Sequence, residues 1–231
     1  MTKLLTVTEM MCRDLARRRA ALGLLAILPL LFYLARHDSQ PEKAIRFAGL
    51  GLAWAVSTAG LFTSNTTKSV ESRLRQIGFQ IHHLYLGTLT ALLALGTLLG
   101  AAYFTLIAVD QNLQRPWGVA LEFILTILVA APLGLLISAV APRDLEGTLI
   151  LIALTALQFL VDPAQRAAKL LPFWSTREIG IYAVEAGAIE YLRNGLIHAA
   201  IFIAALLAAT VSLSALRLRR RAHLRLQQTP A

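Results

Sequence analysis

The chain has 231 residues, 57% of them hydrophobic and 15% charged, with a mean hydropathy of +0.63. Soluble domains carry about 25% charged residues, so this composition excludes an ordinary soluble fold and indicates an integral membrane protein. The formal net charge of +9 would suit nucleic acid, but the basic residues sit in short runs at the ends of apolar segments, which is the pattern of membrane topology. Cys12 is the single cysteine, so the chain holds neither a disulfide pair nor a cysteine metal cluster.

Residues 1–19 contain Thr6-x-x-Glu9, a capping-box spacing in which hydroxyl and carboxylate satisfy free amides at a helix start. A helix from Val7 gathers Val7, Met11 and Leu15 on one side and leaves Arg13 and Arg17 elsewhere. That describes an interfacial helix with arginines for the headgroups. Arg17, Arg18 and Arg19 lead into a first span, Ala20 to Ala35, interrupted by Pro29. A basic segment before an apolar run also fits a secretory signal, but no small-x-small pattern follows Leu34 and five more apolar segments lie downstream. After a short polar connection with Pro41, Phe47 to Ser64 makes a second span rich in Gly, Ala and Ser. Small residues let helix backbones approach closely in lipid, so this span is expected inside the bundle.

Asn65 to Gly87 is a polar, mostly basic island in which Val70, Leu74, Ile77, Ile81 and Leu84 recur at helical spacing. It reads as an amphipathic cytoplasmic helix with one continuous apolar stripe joining two spans, either a solvated helix that lies on the headgroups or a docking surface for a partner protein. The third span, Leu84 to Val109, exceeds the roughly 20 residues needed to cross, which implies tilt or extension. Trp117 then suits an interface, and the fourth span, Val119 to Val140, carries Glu122 near one end and Pro132 in its second half. APRDLEG at 141–147 is a tight turn. The fifth apolar run, Thr148 to Val161, has a length shared by re-entrant segments. The connection 162–193 includes Pro163, Pro172 and a second capping-box spacing at Ser175-x-x-Glu178, and is expected to hold two short helices split at Pro172. Asn194 to Leu216 is the sixth span, and 217–231 is a basic tail.

With six spans, 14 of the 22 Lys and Arg residues fall on the side of both termini. The positive-inside rule makes that side cytoplasmic, in the cell membrane, and an even number of spans makes the short fifth run a true crossing.

No Walker-type glycine loop, HExxH or GxSxG occurs, and no acidic pair stands at metal-ligand spacing within a span. The chain is therefore expected to bind no ATP, metal or other cofactor by itself and to act as no enzyme. His82 and His83 are adjacent, which on a helix points the rings about 100° apart and argues against shared metal binding. Glu122, Gln158, Asp162 and His198 are the polar groups in or at the edges of spans. A buried ionisable group is costly, about 2.5 to 3.5 kcal/mol on insertion scales, and normally faces protein or a water path. Glu122 is a candidate for substrate passage or gating, yet close enough to Trp117 to reach outer headgroups. Gln158 and His198 read as interhelical hydrogen-bond partners or path-lining groups.

The order and spacing of these parts resemble the membrane subunit of an ABC exporter, the type-2 ABC transporter permease family. The resemblance rests on the N-terminal helix, on VESRLRQIGFQIHHLYLGTLTALLALG at 70–96, on the turn APRDLEG, on LPFWSTREIG at 171–180, and on a last span ending in an arginine cluster. It implies one all-α domain, 1–231, with six transmembrane helices, an N-terminal interfacial helix and short re-entrant helices between the fifth and sixth spans. It further implies that residues 65–87 form a coupling region. Glu71, Arg73, Arg75 and Gln76 would face a separate ATPase subunit, Gly78 would end the docking helix, and Glu9, Arg13 and Asp14 would make a second contact. ATP and magnesium would be bound by that partner, in two copies, and a second permease, identical or homologous, would complete the path in the bilayer. The exported substrate would be a drug, antibiotic, lipid or polysaccharide.

A haem-exporter B-like subunit shares this size and span count. From other classes, an intramembrane enzyme would need a convergent nucleophile or metal set that is absent. A small secondary transporter would be expected to bury more carboxylates and to show inverted repeats.

Overall fold

A computed structural model describes residues 2–37, 41–141, 143–162, 165–185 and 187–226. Among them the chain is all-helical: α1 Thr2–Arg17, α2 Arg19–Leu34, α3 Pro41–Gln76, α4 Ile81–Asp110, α5 Pro116–Val140, α6 Asp144–Leu160, α7 Trp174–Val184 and α8 Ile189–Leu226, with a 3-10 turn Arg166–Leu170 before α7. Among the described residues four segments are long and apolar enough to cross a membrane: Lys43–Lys68 of α3, His82–Asp110 of α4, all of α5, and Ile189–Leu213 of α8. Helices α2 and α6, expected as the first and fifth spans, have 16 and 17 residues. At 1.5 Å per residue they reach only about 24–26 Å, short of the ~30 Å hydrocarbon layer.

Helices α3 and α5 form the centre. α3 packs on α2, α4, α5, α6 and α7, while α5 also touches α4, α6, α7 and α8. Small residues bring the two together as expected, because a Cβ on Gly134 would lie 2.2 Å from the Ser57 carbonyl oxygen. Ser57 Oγ also donates to the Ala130 carbonyl at 3.0 Å. α2 approaches α3 closely too, with the Gly51 position 2.7 Å from Pro29 Cα. By contrast, only 28% of the apolar window of α4 and 17% of that of α8 is buried. Those two helices present apolar surface outward.

Several local expectations are corrected. α1 starts at Thr2, so Thr6 lies inside it and caps nothing, and Glu9 instead pairs with Arg13 at 2.6 Å. The Val7, Met11 and Leu15 stripe is buried, but Val7 and Met11 pack with Leu84 and Ala91 of α4, on protein. A Cβ on Gly87 would lie 2.6 Å from Val7 Cγ1, so the glycine is what lets α1 settle there. The stripe from Leu74 to Leu84 is not continuous, since α3 ends at Gln76 and α4 begins at Ile81. Ser175 is likewise inside α7, whose N-cap is Phe173; Thr176 Oγ1 donates to the Phe173 carbonyl at 2.7 Å. Two short helical pieces do flank Pro172, while α8 starts five residues earlier than Asn194. Of the expected basic tail, 217–226 continues α8 and 227–231 lies outside the described residues, as do Pro142 and Pro163.

Candidate functional site

Two regions hold the residues singled out by sequence, one at each end of the bundle. At the α1 end, α3 runs eight residues beyond Lys68 before stopping at Gln76. Gly78 has φ +87°, and the amide of Phe79 donates to the Leu74 carbonyl at 3.0 Å. This is a Schellman-type ending, in which a glycine takes the left-handed position that other residues resist. Gly78 therefore ends the helix and turns the chain into α4, making an α3–α4 elbow.

The elbow is held by α1, and α3 is clasped eight to eleven residues before its end. Lys3 Nζ of α1 donates to the Gly78 carbonyl at 2.9 Å and lies 5.9 Å from the Phe79 ring centre, and Leu74, Phe79 and Met10 pack on the small core of Val7, Met11, Leu84 and Ala91. In the clasp, Asn65 donates to the Asp144 carboxylate. Lys68 Nζ donates to Asn65 Oδ1 at 2.6 Å and to the Ser138 carbonyl, and Ser138 Oγ donates to Asn65 Oδ1 at 2.7 Å. The ammonium thus sits at the C-terminal end of α5, where the helix dipole favours a cation. This clasp joins α3 to the α5–α6 turn.

Of the residues expected to dock a partner, Arg73, Gln76 and Gly78 are exposed and Glu71 is half-buried. The Arg75 side chain lies outside those described. Glu9, Arg13 and Asp14 line a groove of about 490 Å³ with Thr66 and Thr67 of α3, and Asp14 pairs with Arg18 at 3.2 Å. Both sets are therefore at one end, but none of residues 71–78 lines the groove. His82 and His83 also differ from expectation. The Gln80 amide donates to His83 Nδ1 at 3.2 Å, which folds that ring back to the helix start, and the two rings lie 4.1 Å apart.

At the opposite end, Glu122 is 1% exposed and does not reach outward to headgroups. A Cβ on Gly49 of α3 would lie 3.2 Å from its Oε1, and one on Gly180 of α7 would lie 3.2 Å from its Oε2. Two glycines therefore make room for the carboxyl group. Neither carboxyl oxygen has a hydrogen-bond partner among the described residues. Arg46 is the cation beside it, its Cγ 3.4 Å from the same Gly180 position. On α7, Glu178 is buried and lies 3.4 Å from Arg177. Burial pushes its carboxyl above the usual range, and Arg177, Lys169 and Arg46 pull it part of the way back.

His198 Nε2 is 2.9 Å from the Lys169 carbonyl, and the ring stacks on Phe202 at 4.5 Å and tilts against Trp174 at 5.1 Å. It thus ties α8 to the 3-10 turn. Gln158 Oε1 is buried with no hydrogen-bond partner among the described residues, and Asp162 is exposed at the end of α6. Glu122 and His198 both touch α7.

Lys3, Asn65, Lys68, Ser138 and Asp144 at one end, and Arg46, Gly49 and Gly180 at the other, were not singled out by the sequence, and Glu178 stood out only as half of a capping-box spacing. Each is an ordinary polar or small residue whose place is set by contacts between helices far apart in the chain, so spacing carries no signal for it. No protein-family model matches this chain, and no curated protein or solved structure matches it.

Proposed function

We propose that this chain is the membrane subunit of an ATP-driven exporter of the type-2 ABC permease kind, with the α3–α4 elbow as the surface that engages a separate ATPase subunit. The observation that carries the reading is the elbow itself: a polar extension of a central helix, turned at Gly78 and anchored to α1, on a helix that is clasped at Asn65 to the α5–α6 turn. A lever needs this construction. A push on Arg73 or Gln76 is transmitted along α3, whose apolar window is 72% buried, to the Gly134 crossing and to the Glu122 region.

In this reading the elbow end is cytoplasmic, and α2 and α6 serve as the first and fifth of six crossings. Their shortness is met by flanking residues and local thinning of the bilayer, at fractions of a kcal/mol per ångström. The helical pieces around Pro172 would dip into the outer leaflet. Two such subunits would enclose the path, and movement of α3 against α5 would open it. ATP and magnesium belong to the partner. A haem-exporter B-like subunit is the same device with another cargo.

A photo-crosslinking residue placed at Gln76 tests the reading. It should capture a soluble ATP-binding protein in cells, and the same probe at Asn112, in the loop between α4 and α5 at the opposite end, should not. Equal capture at both positions, or none at Gln76, would overturn it.

A further inference from the structure

We infer that the α1–α2 corner is a binding site for one anionic phospholipid of the leaflet on the α1 side. α1 ends at Arg17 and α2 begins at Arg19, with Arg18 between them in a non-helical conformation (φ −85°, ψ 56°). Arg13, Arg17 and Arg19 line, with Ala16, an open concavity of about 550 Å³. Among the described residues no carboxylate lines it: Glu9 is engaged by Arg13, and Asp14 by Arg18. α2 also starts without a side-chain cap, so the positive end of its dipole adds to the arginine field. Arginine forks suit the oxygens of a phosphate monoanion or diester.

The second half of the ligand is specified by the exposed apolar surface further along α2, the helix that starts at Arg19. Leu24, Ile27, Leu31 and Leu34 are 71%, 49%, 56% and 55% exposed. Their spacing of three and four puts them in one stripe on α2. From Leu24 to Leu34 the stripe is about 15 Å long, the depth of one hydrocarbon leaflet. A cationic corner leading into an apolar stripe of leaflet depth matches a headgroup phosphate with its acyl chain, and a free phosphate ion would use only the first part. The inference rests on the membrane character of the chain and not on the exporter reading.

The test uses the full chain purified in neutral detergent, with binding followed by native mass spectrometry and by thermal unfolding. The probes are phosphatidylglycerol, phosphatidylcholine of the same acyl chains, and inorganic phosphate. Phosphatidylglycerol should be retained and raise the unfolding temperature, with phosphatidylcholine and inorganic phosphate far weaker. Arg17→Gln with Arg19→Gln should weaken phosphatidylglycerol binding about thirtyfold, at the usual attraction per basic residue. Arg17→Lys with Arg19→Lys, which keeps the charge, should retain most of it and guards against a folding defect in the first variant. Arg166→Gln at the other end should bind as the unmodified chain does. Undiminished binding by the Gln pair, equal retention of phosphatidylcholine, or an equal effect of inorganic phosphate would each overturn the lipid site.

Discussion

Single side chains decide how closely the helices of this bundle can approach. At the α3–α5 crossing, an added methyl on Gly134 would meet backbone, which cannot swing away as a flexible side chain could. Gly134→Ala should therefore cost about 1–3 kcal/mol, seen as a lower unfolding temperature in detergent. Gly23 on α2 has nothing within 4 Å of the same added atom, and Gly23→Ala should be neutral or gain about 0.5–1 kcal/mol from helix propensity. Glu178 supplies a pH test. Its carboxyl is raised when folded, so the folded state binds a proton that the unfolded chain has already released. The contribution of Glu178 to stability should thus be greatest at low pH and fall as pH rises from the ordinary carboxylate range through the raised value. Glu178→Gln should flatten that decline. At this scale the sequence was informative where period alone settles the matter: Val7, Met11 and Leu15 form the buried side of α1. The depth of Glu122 was not legible, because it depends on Gly49 and Gly180, which lie 73 and 58 positions away and carry no mark of their role.

Helix ends, more than helix interiors, distinguish the elements. The elbow depends on one residue in the left-handed region, and Gly78→Ala should cost about 1–2 kcal/mol there. Because the strain is local, it should appear as faster amide exchange across residues 77–84 with little change in the rest of α4. The clasp behaves differently. Removing the ammonium of Lys68 takes a cation away from the Ser138 carbonyl and from Asn65. Lys68→Met should cost about 1–3 kcal/mol and loosen the α5–α6 turn in the same exchange experiment, while Gly78→Ala leaves that turn protected. Both capping-box spacings pointed to helix starts that lie elsewhere. Four-residue patterns of this kind are short, and the helices start before them, at Thr2 in α1, although Leu5 there is 64% exposed, and at the buried Trp174 in α7. The Gly78 break was readable in part, since a glycine after a polar run is a usual helix ending.

For the whole molecule, the seating of α2 and α6 in a bilayer decides the number of crossings, because among the described residues four helices have crossing length and these two do not. In a Cys12→Ser background, single cysteines at Arg13 and Lys43 bracket α2, and at Arg143 and Gln165 bracket α6. The six-crossing account expects each pair to be labelled from opposite faces by a membrane-impermeant thiol reagent. Labelling of a pair from one face would remove that crossing. Helix content and the central place of the small-residue second span were plain from composition. The union of distant polar residues at the elbow and at the clasp was not, since it is created by three-dimensional packing of α1, α3 and the α5–α6 turn.

The proposed role of the elbow is to drive a separate ATPase. It is tested most directly by the ATP hydrolysis that copurifies with the tagged chain, compared with Arg73→Glu plus Arg75→Glu. The account predicts activity with the unmodified chain and roughly a tenfold loss or more on charge reversal, about 1.4 kcal/mol of coupling, with the unfolding temperature of the permease unchanged. Equal activity in the two preparations, or none with the unmodified chain, would contradict it.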